Sequence, residues 1–166
     1  MRGKVHKYGD NIDTDVIIPA RYCTSIKIED LAPHALEDLD PTFVKKVKQG
    51  DILVAGANFG CGSSREVAPI TLRGAGVAAV IAKSFARIFY RNSINVGLPI
   101  LEAPEAAAAI ENGAEVEVDL AAGTIRDLGT GKEYRAAGFP AVMQEIISLG
   151  GLANFVKKRL ADKAAH

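Results

Sequence analysis

Residues 57–66, Ala57-Asn58-Phe59-Gly60-Cys61-Gly62-Ser63-Ser64-Arg65-Glu66, bring two glycines, two hydroxyls and a guanidinium together directly behind an apolar run. Glycine tolerates positive φ and lets a ligand approach the main chain, while arginine offers a planar fork of donors matched to a carboxylate or phosphate. The stretch has the composition of an anion-binding loop.

Three chemistries compete for it. Ser63-Ser64-Arg65-Glu66 fits the Ser-x-x-Glu capping box, a purely structural use. Pro69 argues against that, because a helix begun at Ser64 would carry the proline in its second turn, where it removes a hydrogen bond and clashes. A phosphate cradle lacks support, since neither the Gly-Lys-Ser/Thr ending of a P-loop nor a dinucleotide fingerprint is present. The third use is carboxylate recognition with a catalytic serine. No histidine stands nearby to activate a hydrolase triad. A serine base would have to be stabilised as an oxyanion by backbone N–H groups and a cation, which Gly62, Ser64 and Arg65 can supply.

The elements around the loop suit such a role. Residues 51–56 read as a short buried strand, 68–73 as a helix closed by Gly74-Ala75-Gly76, and 77–82 as a second buried strand. This order makes a βαβ-like unit with the loop at the C-terminal end of its strand, where open α/β sheets bind ligands. Upstream, residues 2–8 carry a weak edge-strand pattern. Asn11-Ile12-Asp13-Thr14-Asp15 follows, its aspartates open to three readings: turn residues, metal ligands or a carboxylate orienting a catalytic group. Residues 19–41 show little periodicity and read as a lid, with His34 a solvated loop residue, and 41–50 as a short helix. Downstream, 84–91 has a helical pattern with Arg87 and Arg91 on a solvated face and Asn92 as a C-cap. An alanine-rich helix at 105–112 precedes three alternating segments (114–120, 123–128, 132–136) forming a small antiparallel sheet, and amphipathic helices at 140–149 and 151–160.

Composition narrows the class. Lys+Arg and Asp+Glu both number 20 in 166 residues, so the net charge is zero and neither nucleic acid nor an acidic membrane surface is an expected partner. Cys23 and Cys61 have no metal-site spacing and read as free thiols. No apolar run reaches the ~18 residues of a membrane span and no signal peptide is evident, so a cytoplasmic chain forming a single domain over 1–166 is expected.

The runs 58–66, 11–15 and Ser84-Phe85-Ala86-Arg87-Ile88-Phe89-Tyr90-Arg91-Asn92, in this order and spacing, resemble the small subunits of the isopropylmalate isomerase family, free-standing counterparts of the aconitase swivelling domain. The resemblance spans nearly the whole chain. It implies an α/β fold of the β/β/α swivelling type, with a mixed sheet and flanking helices. It also implies reversible dehydration and rehydration of a hydroxy-dicarboxylic acid, carried out with a separate large subunit that holds a [4Fe–4S] cluster. No cofactor or metal is implied on this chain, and self-association of the isolated chain is left open.

By the same resemblance Ser63 abstracts the proton α to a carboxylate, and Arg65 binds a substrate carboxylate with Ser64, Gly62 and Thr24 as further contacts. Asp15 stands behind them. Two departures from the family pattern are present: Val67 follows Glu66 where many relatives have histidine, and Tyr22-Cys23-Thr24-Ser25 lacks the arginine with which homoaconitase-like relatives read an extra carboxylate. An apolar variable group on the substrate, such as isopropyl or methyl, fits that loop best, although Lys27 lies nearby. Homoaconitate, citraconate, methylmalate and 2,3-dimethylmalate dehydratases are the enzymatic alternatives, and a non-catalytic carboxylate-binding module is the alternative from another class.

Overall fold

The computed structural model describes residues 1–165, which build one mixed sheet of seven strands with helices on its faces. Strands β1 (Arg2–Lys7), β2 (Ile52–Ala55), β3 (Ala79–Ala82) and β4 (Ile100–Glu102) run parallel. Strands β5 (Glu115–Asp119), β6 (Thr124–Asp127) and β7 (Glu133–Arg135) extend the same sheet as an antiparallel meander, in the order β4-β3-β2-β1-β5-β6-β7. The three alternating segments are thus strands as expected, joined to the parallel half rather than forming a separate sheet.

The edge-strand reading of residues 2–8 is incorrect. β1 is the central strand, parallel to β2 with Val5 opposite Ile52 and antiparallel to β5 with Gly3 opposite Val116. Its polar residues look like an edge pattern, yet they are satisfied by neighbours. Arg2 bonds Glu115 at 2.8 Å, Lys7 Nζ donates to the carbonyls of Ala108 and Ile110, and His6 bonds Asp51.

β2 and β3 read as continuous apolar runs because both their faces are covered. Leu53, Ala55, Val80 and Ala82 join Phe59, Leu72 and Phe89 in one core; Ile52, Val54, Ala79 and Ile81 join Leu101, Ala106 and Val116 in another. Helices α1 (Thr14–Ile17), α2 (Ile28–Leu31) and α3 (Phe43–Lys46) lie between β1 and β2, while α4 (Val67–Gly74) and α5 (Arg87–Val96) make the next two crossovers. α6 (Pro104–Ala109) precedes the meander, and α7 (Ala141–Ser148) and α8 (Leu152–Ala164) follow it.

Several expected elements shift. The segment read as a lid holds α2 and two short 3-10 turns, and it is pinned by Leu31, Ala35 and Leu36, all fully buried. His34 is not merely solvated: its ring stacks on Tyr22 at 3.6 Å and bonds Glu37 at 2.5 Å. Asn92 is not a cap but lies inside α5, which ends at Gly97 in the left-handed region (φ 76°). A Cβ at Gly97 would sit 2.6 Å from the Gly150 backbone, so this stop is a packing constraint from the distant α7–α8 connection.

Candidate functional site

β1, β2 and β3 are parallel, so the segments leaving their C-terminal ends emerge on one side of the sheet. These segments carry the three runs singled out in the sequence, and backbone bonds tie them together. Phe59 N donates to the Ser84 carbonyl at 3.0 Å and Ala86 N to the Phe59 carbonyl at 2.9 Å. Gly60 N donates to Ile12 O at 2.7 Å, and Thr14 N to Cys61 O at 2.9 Å. Beneath them Phe59 is buried against Phe89 at 5.2 Å and Phe85 at 6.1 Å. Gly60, at φ 79°, is required by that packing, since a Cβ there would fall 2.1 Å from the Phe89 ring.

Beyond this anchored base the chain turns outward. Gly62 (φ 91°), Ser63 and Ser64 are exposed, and α4 starts only at Val67, with Glu66 making no side-chain cap. Pro69 therefore falls in the first turn, where its missing N–H is harmless, and the capping box does not form. Among the described residues neither serine hydroxyl has a hydrogen-bond partner, and the amides of Gly62, Ser63 and Ser64 have no acceptor. Three adjacent free N–H groups beside two free hydroxyls form a cradle for negative charge.

Arg65 is held at the edge of this cradle. Its Nη2 pairs with Asp15 Oδ1 at 2.6 Å, and its Nη1 donates to Ile18 O at 3.3 Å with Cys23 Sγ at 3.6 Å. A guanidinium carries five N–H donors, so these contacts aim the group and leave donors for an anion. Asp15 sits in the first turn of α1, whose N-cap Asp13 accepts from Val16 N at 2.8 Å. The two aspartates thus divide the open readings: Asp13 is a cap and Asp15 orients a cation. Burial pushes the Cys61 thiol up, with the Asp13 charge adding to it, so this cysteine stays protonated.

Ser63, Ser64, Gly62, Arg65 and Asp15 are brought together as expected. Thr24 is exposed and follows Cys23, whose thiol meets Arg65, and its own hydroxyl makes no polar contact within the described residues. Thr14 was missed: buried, it donates its hydroxyl to the Ser63 carbonyl at 2.9 Å and so sets the height of the loop. Its place between the two aspartates was the available signal. Ser84 was missed too, although its Oγ accepts from Asn58 N at 2.9 Å.

A [4Fe–4S] cluster needs three or four thiolates, and this chain has two cysteines, one of them set against Arg65. Among the described residues no three His, Cys, Asp or Glu side chains gather as a metal site. The residues present do not fit the cluster. Among the described residues no helix is long and apolar enough to cross a membrane.

The family described as Aconitase C-terminal domain matches residues 9–106. The chain is 63% identical over 164 residues to the 3-isopropylmalate dehydratase small subunit of Caldicellulosiruptor bescii, covering 99% of each chain. To the protein of the same name in Aquifex aeolicus it is 58% identical over 164 residues, covering 98% of each. The crystal structure of 3-isopropylmalate dehydratase (leuD) from Methanocaldococcus jannaschii superposes with a TM-score of 0.93 at 46% identity, over 99% of this chain and 97% of that one.

Proposed function

The chain belongs to the aconitase C-terminal domain family, and from that membership we propose that it is the small subunit of a 3-isopropylmalate dehydratase. This is a hydro-lyase that interconverts 2-isopropylmalate and 3-isopropylmalate, a step of leucine biosynthesis, and it works only with its large subunit. The single observation carrying the assignment of residues is the convergence of segments 11–15, 58–66 and 84–92 on one exposed loop with unpartnered serines and an aimed arginine. The chain is read as one swivelling domain of a cytoplasmic enzyme.

In this reading Arg65 binds a substrate carboxylate through its remaining donors, and Ser63 takes the proton from the carbon next to that carboxylate. The serine oxyanion is stabilised by the free amides of the loop and by the guanidinium, whose fixed orientation avoids reorganisation during the reaction. Ser64 and Gly62 contribute further hydrogen bonds, and Asp15 keeps Arg65 in place. A cluster held by the large subunit would supply Lewis acidity toward the hydroxyl group.

The substrate's variable group faces residues 22–25. Those four residues include no arginine, and Arg21, which precedes them, is committed to Asp38 at 2.6 Å and lies over the Tyr22 ring at 4.8 Å. It is therefore not free to read an additional carboxylate, and an apolar isopropyl group is favoured over the longer acidic arm of homoaconitate. Thr24 lines this end.

The test is turnover by the reconstituted complex. Ser63→Ala should lose activity by about 10³-fold or more while keeping its fold and its subunit affinity. Wild-type turnover by the variant would remove Ser63 from its role. A substrate panel of isopropylmalate, homoaconitate, citraconate and dimethylmalate should single out isopropylmalate.

A further inference from the structure

Beside the site loop lies an open cleft of about 830 Å³, walled on one side by Asn58, Gly60 and Gly62 and on the other by Arg87, Ile88 and Arg91 of α5. None of the roles assigned above uses this second wall. Its charges also run against local helix chemistry. Arg87 is the first residue of α5, where the positive end of the helix dipole disfavours a cation and where no side chain caps the free N–H groups. Arg91 follows one turn later, and like charges so spaced destabilise a helix. Neither arginine has an ion pair or hydrogen bond among the described residues. Ile88, between them, is 49% exposed.

A helix end that violates local preference at two positions, next to a functional loop, is expected where an outside group supplies the compensation. That group has a readable chemistry: acidic on the flanks, apolar in the centre. A small diacid with an apolar arm shares this chemistry but does not fill the site, because the arginines are exposed and the cleft is open and about 830 Å³ in volume. A protein surface does. The cleft also continues into Gly62, and Ser63 beside it must be covered by the large subunit for a complete site to form.

We propose that the Arg87–Ile88–Arg91 face of α5 is a docking surface for the large subunit, which presents acidic side chains to the two arginines around an apolar contact with Ile88. The proposal rests on the small-subunit reading. Docking here would place the partner against the wall shared with the catalytic loop, and association would be steered by charge and weakened by salt.

The test measures binding of the full-length chain to the purified large subunit by calorimetry at two ionic strengths. Arg87→Glu/Arg91→Glu should weaken association about 100-fold or more and invert its salt dependence, since like charges then face each other, and the neutral pair Arg87→Gln/Arg91→Gln should give a smaller loss with the salt dependence largely removed. Both should melt at or slightly above wild type, since the two side chains are exposed and their cations are disfavoured at that end of α5, and turnover at saturating large subunit should stay near wild type. Wild-type affinity in the double-Glu variant would overturn the proposal. Unchanged affinity with a raised KM would overturn it too and assign the cleft to substrate. A wild-type chain that fails to bind the large subunit would overturn this proposal and the small-subunit reading together, and the wild-type control separates that outcome from the other two.

Discussion

The His6–Asp51 and Arg65–Asp15 pairs each join a basic side chain to an aspartate far away in sequence, and they serve opposite ends. His6 and Asp51 are 10% and 8% exposed, bonded at 2.8 Å, with Phe43 edge-on to the imidazole at 5.4 Å. Asp51 also accepts from the backbone N–H groups of Lys48 at 2.9 Å and Lys4 at 3.2 Å, so its lone pairs are used within the fold. Arg65 and Asp15 are 21% and 56% exposed and lie beside hydroxyls and amides that have no internal partner. A closed, satisfied pair holds β1 against the start of β2, whereas an open pair aims donors outward. The two pairs differ in what is left unsatisfied around them.

The strongest way to break this contrast is at the buried pair. Asp51→Ala should cost about 3–5 kcal/mol, because it strands His6 and two amides without an acceptor, and chemical denaturation reads this directly. Loss of activity in that variant should follow loss of fold. If Asp51→Ala melted like wild type, the pair would not be structural.

At the open pair the expectation reverses. Arg65→Gln should lower kcat/KM of the reconstituted complex by about 100-fold or more, since it removes a charge-assisted anchor. Its melting temperature should stay near wild type, because exposed Asp15 can be rehydrated. A large drop in stability with activity retained would merge the two regions into one class.

Two glycines sharpen the boundary between the packed base of the loop and its free tip. Gly60→Ala forces a Cβ into Phe89 as well as straining φ, and should cost about 2–4 kcal/mol. Gly62→Ala meets nothing closer than Asp13 Cβ at 3.5 Å and should cost only about 1 kcal/mol, from its φ. Equal melting shifts would place the boundary elsewhere.

The smallest effect concerns pH. Burial pushes the Asp51 carboxyl up, but hydrogen bonds from His6 and from the Lys48 and Lys4 backbone outweigh it and hold the carboxyl below its ordinary value. A carboxyl depressed in the folded state contributes stability above the unfolded pKa of ~4 and loses it as pH falls below that. Unfolding free energies followed from pH 6 to pH 3 should fall on the acid side, and Asp51→Asn should flatten that limb. An unchanged limb would remove Asp51 from the acid response.

Much of the candidate site's local geometry was legible in the chain. The loop of Gly62, Ser63, Ser64 and Arg65, its place after a buried strand, and Pro69 as a sign that the serines lie ahead of the helix all follow from local rules about glycine, proline and apolar runs. The meander was legible for the same reason, since each of its turns is closed by residues a few positions apart. What escaped were the pairings across long separations. His6 and Asp51 are 45 positions apart, and β1 reads as an edge because the partners of its polar residues are remote in sequence. Asn92 reads as a cap until α7 and α8 place Gly97 at the true stop.

The amino-acid sequence by itself determined which groups are available: a hydroxyl and guanidinium loop, two aspartates beside an apolar run, and an arginine-bearing helix, on a chain too poor in cysteine to hold a cluster. Only the tertiary structure decided which aspartate meets Arg65, that Thr14 holds the Ser63 carbonyl, and that Arg87 and Arg91 share a cleft with the loop. Local conformation is set by neighbours along the chain, whereas a hydrogen bond between distant residues exists only after the parallel register of β1, β2 and β3 has brought their C-terminal ends side by side.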